Sequence, residues 1–246
     1  MKPKSNTLFH FTKNQETLKK ILINGFWPRY CLEDVKWIGY EKFDYVSYPM
    51  VCFCDIPLSR ISEHVDFYGS FGIGLTRQWA ETNGLNPILY VARENGVTAT
   101  FREFNEHASI HKTEAQREAA KVSMRYLLAH TKPAEGNMVL DGKPVEKVFY
   151  QESEWRYVPK NKDIPEYLIK SKFENADEIE KANTKTLEHC LLKFSPKDVR
   201  YIFVKADADI PNIINFIQEK LDHYPGADQK VLMSRVVSLE SLSEDL

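Results

Sequence analysis

The chain has 246 residues, of which 43% are hydrophobic and 28% charged. This ordinary globular composition excludes collagen-like, low-complexity and largely disordered chains. The 33 Lys and Arg residues nearly balance the 35 Asp and Glu residues, so the formal net charge is −2. We therefore expect no overall basic field for nucleic acid or an anionic membrane, although a local basic patch is compatible with these totals.

Cysteine usage and the lack of long apolar runs predict a cytoplasmic protein with reduced thiols. Cys52 and Cys54 are spaced C-x-C, and the other two cysteines, Cys31 and Cys190, form no second pair. We expect neither a disulfide scaffold nor a bound metal such as zinc. The first residues form no apolar signal segment, and no apolar run approaches the ~20 residues of a membrane span.

Short apolar runs between turn residues predict alternating strands and helices in the first part of the chain. The expected strands are 7–11, 49–54, 71–75 and 87–91. A helix is predicted over 14–24, and Gly25 ends it. Asp55 is expected to cap a second helix that runs toward residue 66, and Thr76 to cap a short third helix that ends near Gly84.

The second part of the chain favours helices interrupted by a few strands. Residues 98–131 contain no proline and are rich in helix formers, which predicts a helical insertion. Strands are predicted at 147–158 and 199–205, with a polar region over 161–183 between them. An amphipathic helix is predicted over 210–221. The order of elements predicts an α+β fold, a single domain over 1–246 with a split or mixed sheet and peripheral helices.

Common nucleotide-binding and hydrolase motifs are missing from the sequence. Gly69, Gly72 and Gly74 do not follow G-x-G-x-x-G, so we interpret them as a glycine-rich strand and not as a Rossmann turn. Neither a P-loop nor a G-x-S-x-G elbow is present.

Residues 107–125 combine histidines and cations on the predicted helices. His107 and His111 are spaced i, i+4, which can hold a metal ion, but no third ligand is evident. We interpret them as a solvated helix face, with a metal-dependent nuclease as the weaker alternative. A basic stripe fits i, i+4 ion pairs or a nucleic-acid surface, and it comprises Lys112, Arg117, Lys121 and Arg125.

The segment QESEWR, residues 151–156, carries the clearest signal of chemistry. Alternate residues of a strand share a face, so Glu152, Glu154 and Arg156 are expected together on an accessible face, with Trp155 toward the core. One carboxylate can stabilise a cationic transition state while the other orients or deprotonates an acceptor. The alternative is an edge strand whose charged outer face is neutralised by Arg156.

Three further residues could contact a nucleotide. His10 and Thr12 alternate at the end of the first predicted strand, where they could hydrogen-bond a ribose or a phosphate. The alternative is a partly buried histidine next to the following helix. Tyr68 precedes the glycine-rich strand and could stack on a planar ring or pack in the core.

In this order, these motifs resemble the AbiGi family of abortive phage-resistance proteins. The resemblance spans about residues 7–205 and is carried by LFHFT, by the helix L-x-x-I-L-x-x-G-F, by VCFCDIPLSRISEHVDFYGSFGIGLT and by ESEWRYVP. It implies a role in phage defence, and AbiGi proteins are also labelled antitoxins.

The layout is also similar to ADP-ribosyltransferases of the DarT-like kind, although a clear S-T-S middle motif is missing. The similarity implies an ADP-ribosyltransferase-like domain in which Glu154 stabilises an oxocarbenium-like centre and Glu152 orients the acceptor. It also implies that NAD binds as a substrate and not as a redox carrier. The residues that would hold NAD are His10, Phe11, Thr12, Asp55, Ser59 and Tyr68.

The resemblances together imply an NAD-dependent ADP-ribosyltransferase. Such a phage-defence toxin would modify an RNA, DNA or protein acceptor and would have a neutralising antitoxin protein as partner. The alternative is a non-catalytic defence or antitoxin component that keeps the scaffold and binds a partner protein. The first function needs NAD turnover at Glu154, whereas the second predicts weak NAD binding or none.

Overall fold

A computed structural model of the chain describes residues 5–39, 44–92, 95–140 and 143–244, with the backbone alone at 137–140 and 143–144. The strands are β1 Thr7–Thr12, β2 Arg29–Asp34, β3 Tyr45–Cys54, β4 Phe71–Thr76, β5 Asn86–Pro87, β6 Leu89–Val91, β7 Thr131–Pro133, β8 Gly136–Leu140, β9 Lys143–Lys147, β10 Glu154–Tyr157, β11 Leu168–Ile169, β12 Val199–Val204 and β13 Val236–Ser238. The helices are α1 Gln15–Asn24, α2 Ile61–Tyr68, α3 Arg77–Thr82, α4 Gly96–Ser109, α5 Glu114–Ala129, α6 Lys170–Phe173, α7 Ala176–His189, α8 Ile210–Lys220, α9 Gly226–Met233 and α10 Leu239–Ser243.

These elements form two compact units, each made of discontinuous stretches of chain. The first unit comprises Met1–Trp27, Cys52–Leu85 and Leu191–Leu246, and the second comprises Pro28–Val51 and Asn86–Cys190. Strand β3 begins in the second unit and ends in the first. The expectation of one domain over 1–246 stays a prediction.

A mixed sheet forms the centre of the first unit. Its strand order is β13-β12-β4-β1, with the end of β3 beside β1. Strands β12 and β13 run parallel, whereas β4 is antiparallel to both β12 and β1. The α+β class with a mixed sheet is therefore confirmed.

Close packing explains the glycine-rich strand β4. Gly72 lies opposite Phe11 of β1, and a Cβ at Gly72 would lie 2.6 Å from the ring of Phe11. Gly74 lies opposite Phe9 in the same way, with a 3.0 Å approach to that ring. The glycines thus make room for two core aromatic rings, which confirms a strand and not a nucleotide-binding turn.

Two helices of the first unit follow their sequence signals closely. The Asn14 side chain caps α1 by accepting a hydrogen bond from the N–H of Thr17, and Gly25 ends the helix with a φ of +82°. Helix α8 buries Ile213 and Ile217 completely, as its amphipathic spacing predicts. Thr76 caps α3 through the N–H of Trp79, which confirms that prediction too.

The cap predicted at Asp55 is wrong. Helix α2 starts only at Ile61, after a short 3-10 turn over Leu58–Arg60. The Asp55 carboxylate instead pairs with the guanidinium of Arg77 at the start of α3. The Asp55 carboxylate thus accepts a hydrogen bond from a charged side chain of the same unit, and not from the backbone N–H groups at the start of a helix.

The second unit combines short sheets with helices α4 to α7. Strand β3 pairs antiparallel with β2 and β11, β10 pairs antiparallel with β5, and β6 pairs parallel with β7. Helices α4 and α5 confirm the helical prediction for 98–131. Their packing includes Phe101 of α4, which is buried against Val35 and Ile38.

The strand predicted over 147–158 is interrupted, and this changes where Glu152 stands. Residues Phe149–Glu152 form a 3-10 turn, and Ser153 has a left-handed φ of +45°. Strand β10 begins only at Glu154. The left-handed residue breaks the two-residue alternation, so Glu152 and Glu154 do not share a strand.

Candidate functional site

Glu154 lies at the start of β10 with only 5% of its surface exposed. One carboxylate oxygen, Oε1, accepts a hydrogen bond of 2.7 Å from Nε of Arg156. The other, Oε2, accepts from Nζ of Lys132 at 3.1 Å. The backbone N–H of Glu154 donates to the hydroxyl of Tyr90 at 2.8 Å. Both oxygens therefore face a cation.

Glu152 is held in a similar way from the preceding turn. Its Oε2 lies 3.6 Å from Nζ of Lys132, and its Oε1 pairs with the ammonium of Lys147 at the end of β9. Only 6% of Glu152 is exposed. Lys132 thus bridges Glu152 and Glu154, and the structure brings the two predicted glutamates together through this lysine.

Arg156 anchors the arrangement from within, because none of its surface is exposed. Besides Glu154, it binds Oε2 of Glu33 on β2 at 2.9 Å. Its Nη1 donates to the carbonyl of Ala129, at the end of α5, at 2.7 Å. One guanidinium thereby ties together β10, β2 and α5.

Three carboxylates and three cations make up this group, which we call the charged cluster: Glu33, Lys132, Lys147, Glu152, Glu154 and Arg156. Burial opposes the charge of Lys132, but the surrounding carboxylates of Glu154, Glu33 and Glu152 raise the pKa of its ammonium. Burial lowers the pKa of Lys147, although Glu152 acts against this effect. The formal charges of the cluster cancel, as buried charges require.

The expectation that Glu152, Glu154 and Arg156 stand on an accessible face is wrong. All three are buried, and so is Trp155, which is 7% exposed. Both faces of β10 therefore lie in the interior of the second unit. The cation pairing predicted for an edge strand is present, but on buried residues.

His10 is half-buried on β1 in the first unit, among aromatic rings. Its Nδ1–H donates to the carbonyl of Cys52 at 2.8 Å, which makes Nδ1 the protonated nitrogen. The rings of Phe26 and Phe53 lie 5.1 and 5.6 Å from the imidazole. Burial lowers the pKa of His10, against the smaller raising effect of the hydrogen bond, so the ring is neutral at pH 7.

The other predicted NAD-contacting residues also belong to the first unit. Phe11 is 7% exposed and packs in a core cluster with Phe203, and Tyr68 packs at the edge of the same cluster. Thr12 ends β1 and is half-buried, whereas Ser59 is exposed on the 3-10 turn before α2. The two predicted glutamates belong to the second unit. Their roles toward NAD stay predictions.

The His107 and His111 pair does not lie on one helix. Helix α4 ends at Ser109, so His111 lies in the connection to α5. Among the residues that the structure describes, no group of three or more acidic, histidine or cysteine side chains could hold a metal ion. In the basic stripe, Arg125 pairs with Glu118 and with Glu166, the second pair at 3.1 Å.

A groove of about 760 Å³ lies on the surface of the second unit. We call it the apolar groove. Four large side chains in its lining are about half exposed: Leu89 (49%), Val97 (42%), Phe104 (46%) and Leu127 (50%). Deeper in the lining are Phe101, His130 and Thr131, all buried. The sequence predicts helices over 98–131 from their composition, and nothing in it indicates which apolar side chains stay uncovered.

A comparison with protein families identifies the chain. The model described as "Putative abortive phage resistance protein AbiGi, antitoxin" matches residues 24–205, about three quarters of the sequence. The chain belongs to the AbiGi family. The "Abortive phage resistance protein AbiGi" of Lactococcus lactis subsp. cremoris is 29% identical to it over 250 residues, covering 90% of this chain and 99% of that protein. No solved structure matches the chain.

The range shared with the AbiGi family model includes both features of the second unit. Every residue of the charged cluster and of the apolar groove falls within 24–205, whereas His10, Phe11 and Thr12 precede it. In the described part of this AbiGi chain, no helix is long and apolar enough to cross a bilayer.

Proposed function

We propose that this AbiGi chain is the partner-binding, antitoxin-type component of an abortive phage-resistance system and acts without catalysis. The observation that carries the proposal is the pairing of Glu152 and Glu154. Each of their four carboxylate oxygens faces a lysine or arginine, and both side chains are buried. A catalytic carboxylate must instead meet the reacting atoms of a substrate.

The physical role that fits this pairing is organisation of the second unit. Buried ion pairs gain little stability over apolar packing, because desolvation offsets their attraction. Removing one partner is costly, since the other charge remains buried and uncompensated. Such a cluster favours one arrangement of β2, β10 and α5, and a surface of fixed shape binds a partner protein at a lower entropic cost.

A test of this function uses cells that express the toxin component of the same phage-resistance system. Wild-type AbiGi chain should restore growth when it is expressed with that toxin, and should leave growth unchanged when expressed alone. The Glu188→Gln variant, on the exposed end of α7, serves as a control that keeps the cluster. Growth arrest by the chain alone, abolished by Glu154→Gln and not by Glu188→Gln, would contradict the proposal.

A second candidate function is the NAD-dependent ADP-ribosyltransferase that the sequence resemblance implies. Its support is the convergence of Glu152 and Glu154 on a single lysine, Lys132. In this function Glu154 would stabilise the oxocarbenium-like centre.

The test of the second candidate is incubation of the purified chain with NAD, with RNA, single-stranded DNA and cell lysate as acceptors. Mass spectrometry would then follow nicotinamide release and any ADP-ribose adduct. Under the antitoxin proposal neither product forms. Release of nicotinamide that Glu154→Gln removes, and Glu188→Gln does not, would establish the transferase instead.

A further inference from the structure

We propose that the apolar groove is the binding site for one amphipathic helix of the partner toxin. The inference rests on the proposed antitoxin function and specifies its surface and the chemistry of its ligand. The groove has walls from three elements of the second unit: Val97 and Phe104 from α4, Leu127 from α5 and Leu89 from β6.

The charge of the groove restricts its occupant. None of the residues that line it carries a formal charge; besides those already named they are Asn86, Pro87, Asn95, Gly96 and Thr100. Burial lowers the pKa of His130 and outweighs the raising effect of the hydrogen bond to the Tyr126 carbonyl, and Arg156 and Lys160 lower it further. The imidazole is therefore neutral at pH 7, and the complementary surface is an uncharged one.

Two hydrogen-bond donors in the deep lining already have acceptors within the unit. The Nδ1–H of His130 donates to the carbonyl of Tyr126 at 2.9 Å, and the hydroxyl of Thr131 donates to the carbonyl of Leu127 at 2.8 Å. These two donors therefore need no acceptor from a bound partner. Apolar side chains, and not hydrogen-bonding groups, are what the groove can bind most favourably.

The area of the groove favours a helix over a second copy of the chain. The groove offers much less apolar area than a standard interface, since only about half of each of its four large side chains is exposed. Each partner in a standard interface contributes about 800 Å². A patch of four half-exposed apolar side chains matches the apolar stripe of one helix, whose anchors recur at i, i+3 or i+4 and i+7.

The experiment measures toxin binding by groove variants. Phe104→Asp and Leu127→Asp each place a charge in the groove at a side chain that is about half exposed, so the fold is expected to persist. Ile110→Asp is the matched control, because Ile110 follows the same helix α4, is 78% exposed and lies outside the groove. Thermal unfolding of all variants verifies that they are folded.

We expect the two groove variants to bind purified toxin at least 100-fold more weakly than wild type, and Ile110→Asp within about threefold. Fluorescently labelled peptides covering the helices of the toxin should include one that binds wild type and is displaced by intact toxin. Wild-type affinity in both groove variants overturns the groove assignment while toxin binding, and thus the proposed function, stands. Failure of the wild-type chain to bind toxin overturns both. A wild-type dimer that Phe104→Asp dissociates gives the groove to a second copy and also overturns the proposal.

Discussion

Arg156 holds a full positive charge with no exposed surface, and it does so through four acceptor contacts. Glu154, Glu33 and the carbonyl of Ala129 supply them at 2.7 to 3.4 Å. The guanidinium fork can serve partners on three elements at once, which an ammonium cannot do with the same geometry. The side chain is therefore a structural centre of the second unit.

Arg156→Met should be among the most destabilising single substitutions in the protein. Methionine fills similar space but leaves the carboxylate of Glu33 and part of that of Glu154 buried without their cation. We expect the free energy of unfolding to fall by about 3–5 kcal/mol. Urea unfolding followed by circular dichroism measures this loss. Arg200→Met, at an exposed position of β12, should change stability by less than about 0.5 kcal/mol; equal losses in the two variants would refute the structural role.

Two histidines make stability depend on pH. Burial lowers the pKa of both His10 and His130 below the ordinary value of 6.5. The unfolded chain then binds more protons than the folded one as pH falls through about 6.5. The stabilisation from the neutral rings is present above that pH and is lost below it.

We therefore expect the free energy of unfolding to decrease between pH 7 and pH 5. The double variant His10→Gln/His130→Gln should show a flatter dependence over the same range, whatever its absolute stability. His223→Gln, at an exposed position, should keep the wild-type slope. Denaturant titrations at several pH values provide the slopes, and an unchanged slope in the double variant would contradict the assignment.

At the scale of single elements, β4 shows how one strand is fitted to its neighbour. A Cβ at Gly72 would meet the ring of Phe11 at 2.6 Å, whereas one at Gly226, the first residue of α9, would meet open space. Gly72→Ala should therefore cost about 1–3 kcal/mol through overpacking. Gly226→Ala should be neutral or stabilise by up to about 1 kcal/mol. Thermal unfolding of the pair measures the contrast, and equal melting temperatures would rule out the steric explanation.

Elements with a strong periodic signal could be predicted from the sequence. Helices α1 and α8 have regular apolar spacing, and α1 has both of its caps, so local chemistry and tertiary packing agree. Helix α7 overlaps the predicted polar region 161–183, and the sequence gives no helix signal there because the buried face of α7 includes the polar residues Asn183 and Thr186. Strand β2, RYCLED, could not be predicted either, because its charged residues obscure the apolar pattern of a strand. In each case residues that are distant in the sequence cover the helix or strand, and a local sequence pattern holds no information about those residues.

The charged cluster could be predicted only in part, again because residues distant in the sequence complete it. The spacing of Glu152, Glu154 and Arg156 indicated that these side chains belong together. Their burial could not be read from it, because Lys132 and Glu33 come from distant positions in the sequence. The turn at Ser153 could not be predicted from the sequence either, because serine has no strong preference for a left-handed φ.

At the scale of the whole molecule, the first unit needs both ends of the chain. Strand β4 pairs with β1 on one side and with β12 on the other. Ile202, Phe203 and Val204 of β12 are completely buried. A chain truncated after Cys190 loses this strand together with α8, so its first unit should not form a stable core. We expect loss of the dispersed methyl resonances of that unit in NMR spectra, with the full chain as the control; a fully dispersed spectrum from 1–190 would contradict this dependence.

The discontinuous first unit sets an order on folding during synthesis. About 190 residues separate β1 from β12. A ribosome adds roughly 5–20 residues per second, so β12 is synthesised on the order of 10–40 s after β1. The second unit has all of its segments once Cys190 has left the exit tunnel. The nascent protein thus carries a complete apolar groove while the rings of Phe9 and Phe11 on β1 still lack their contacts with Phe203. We expect ribosome-associated chaperones to act on these two rings.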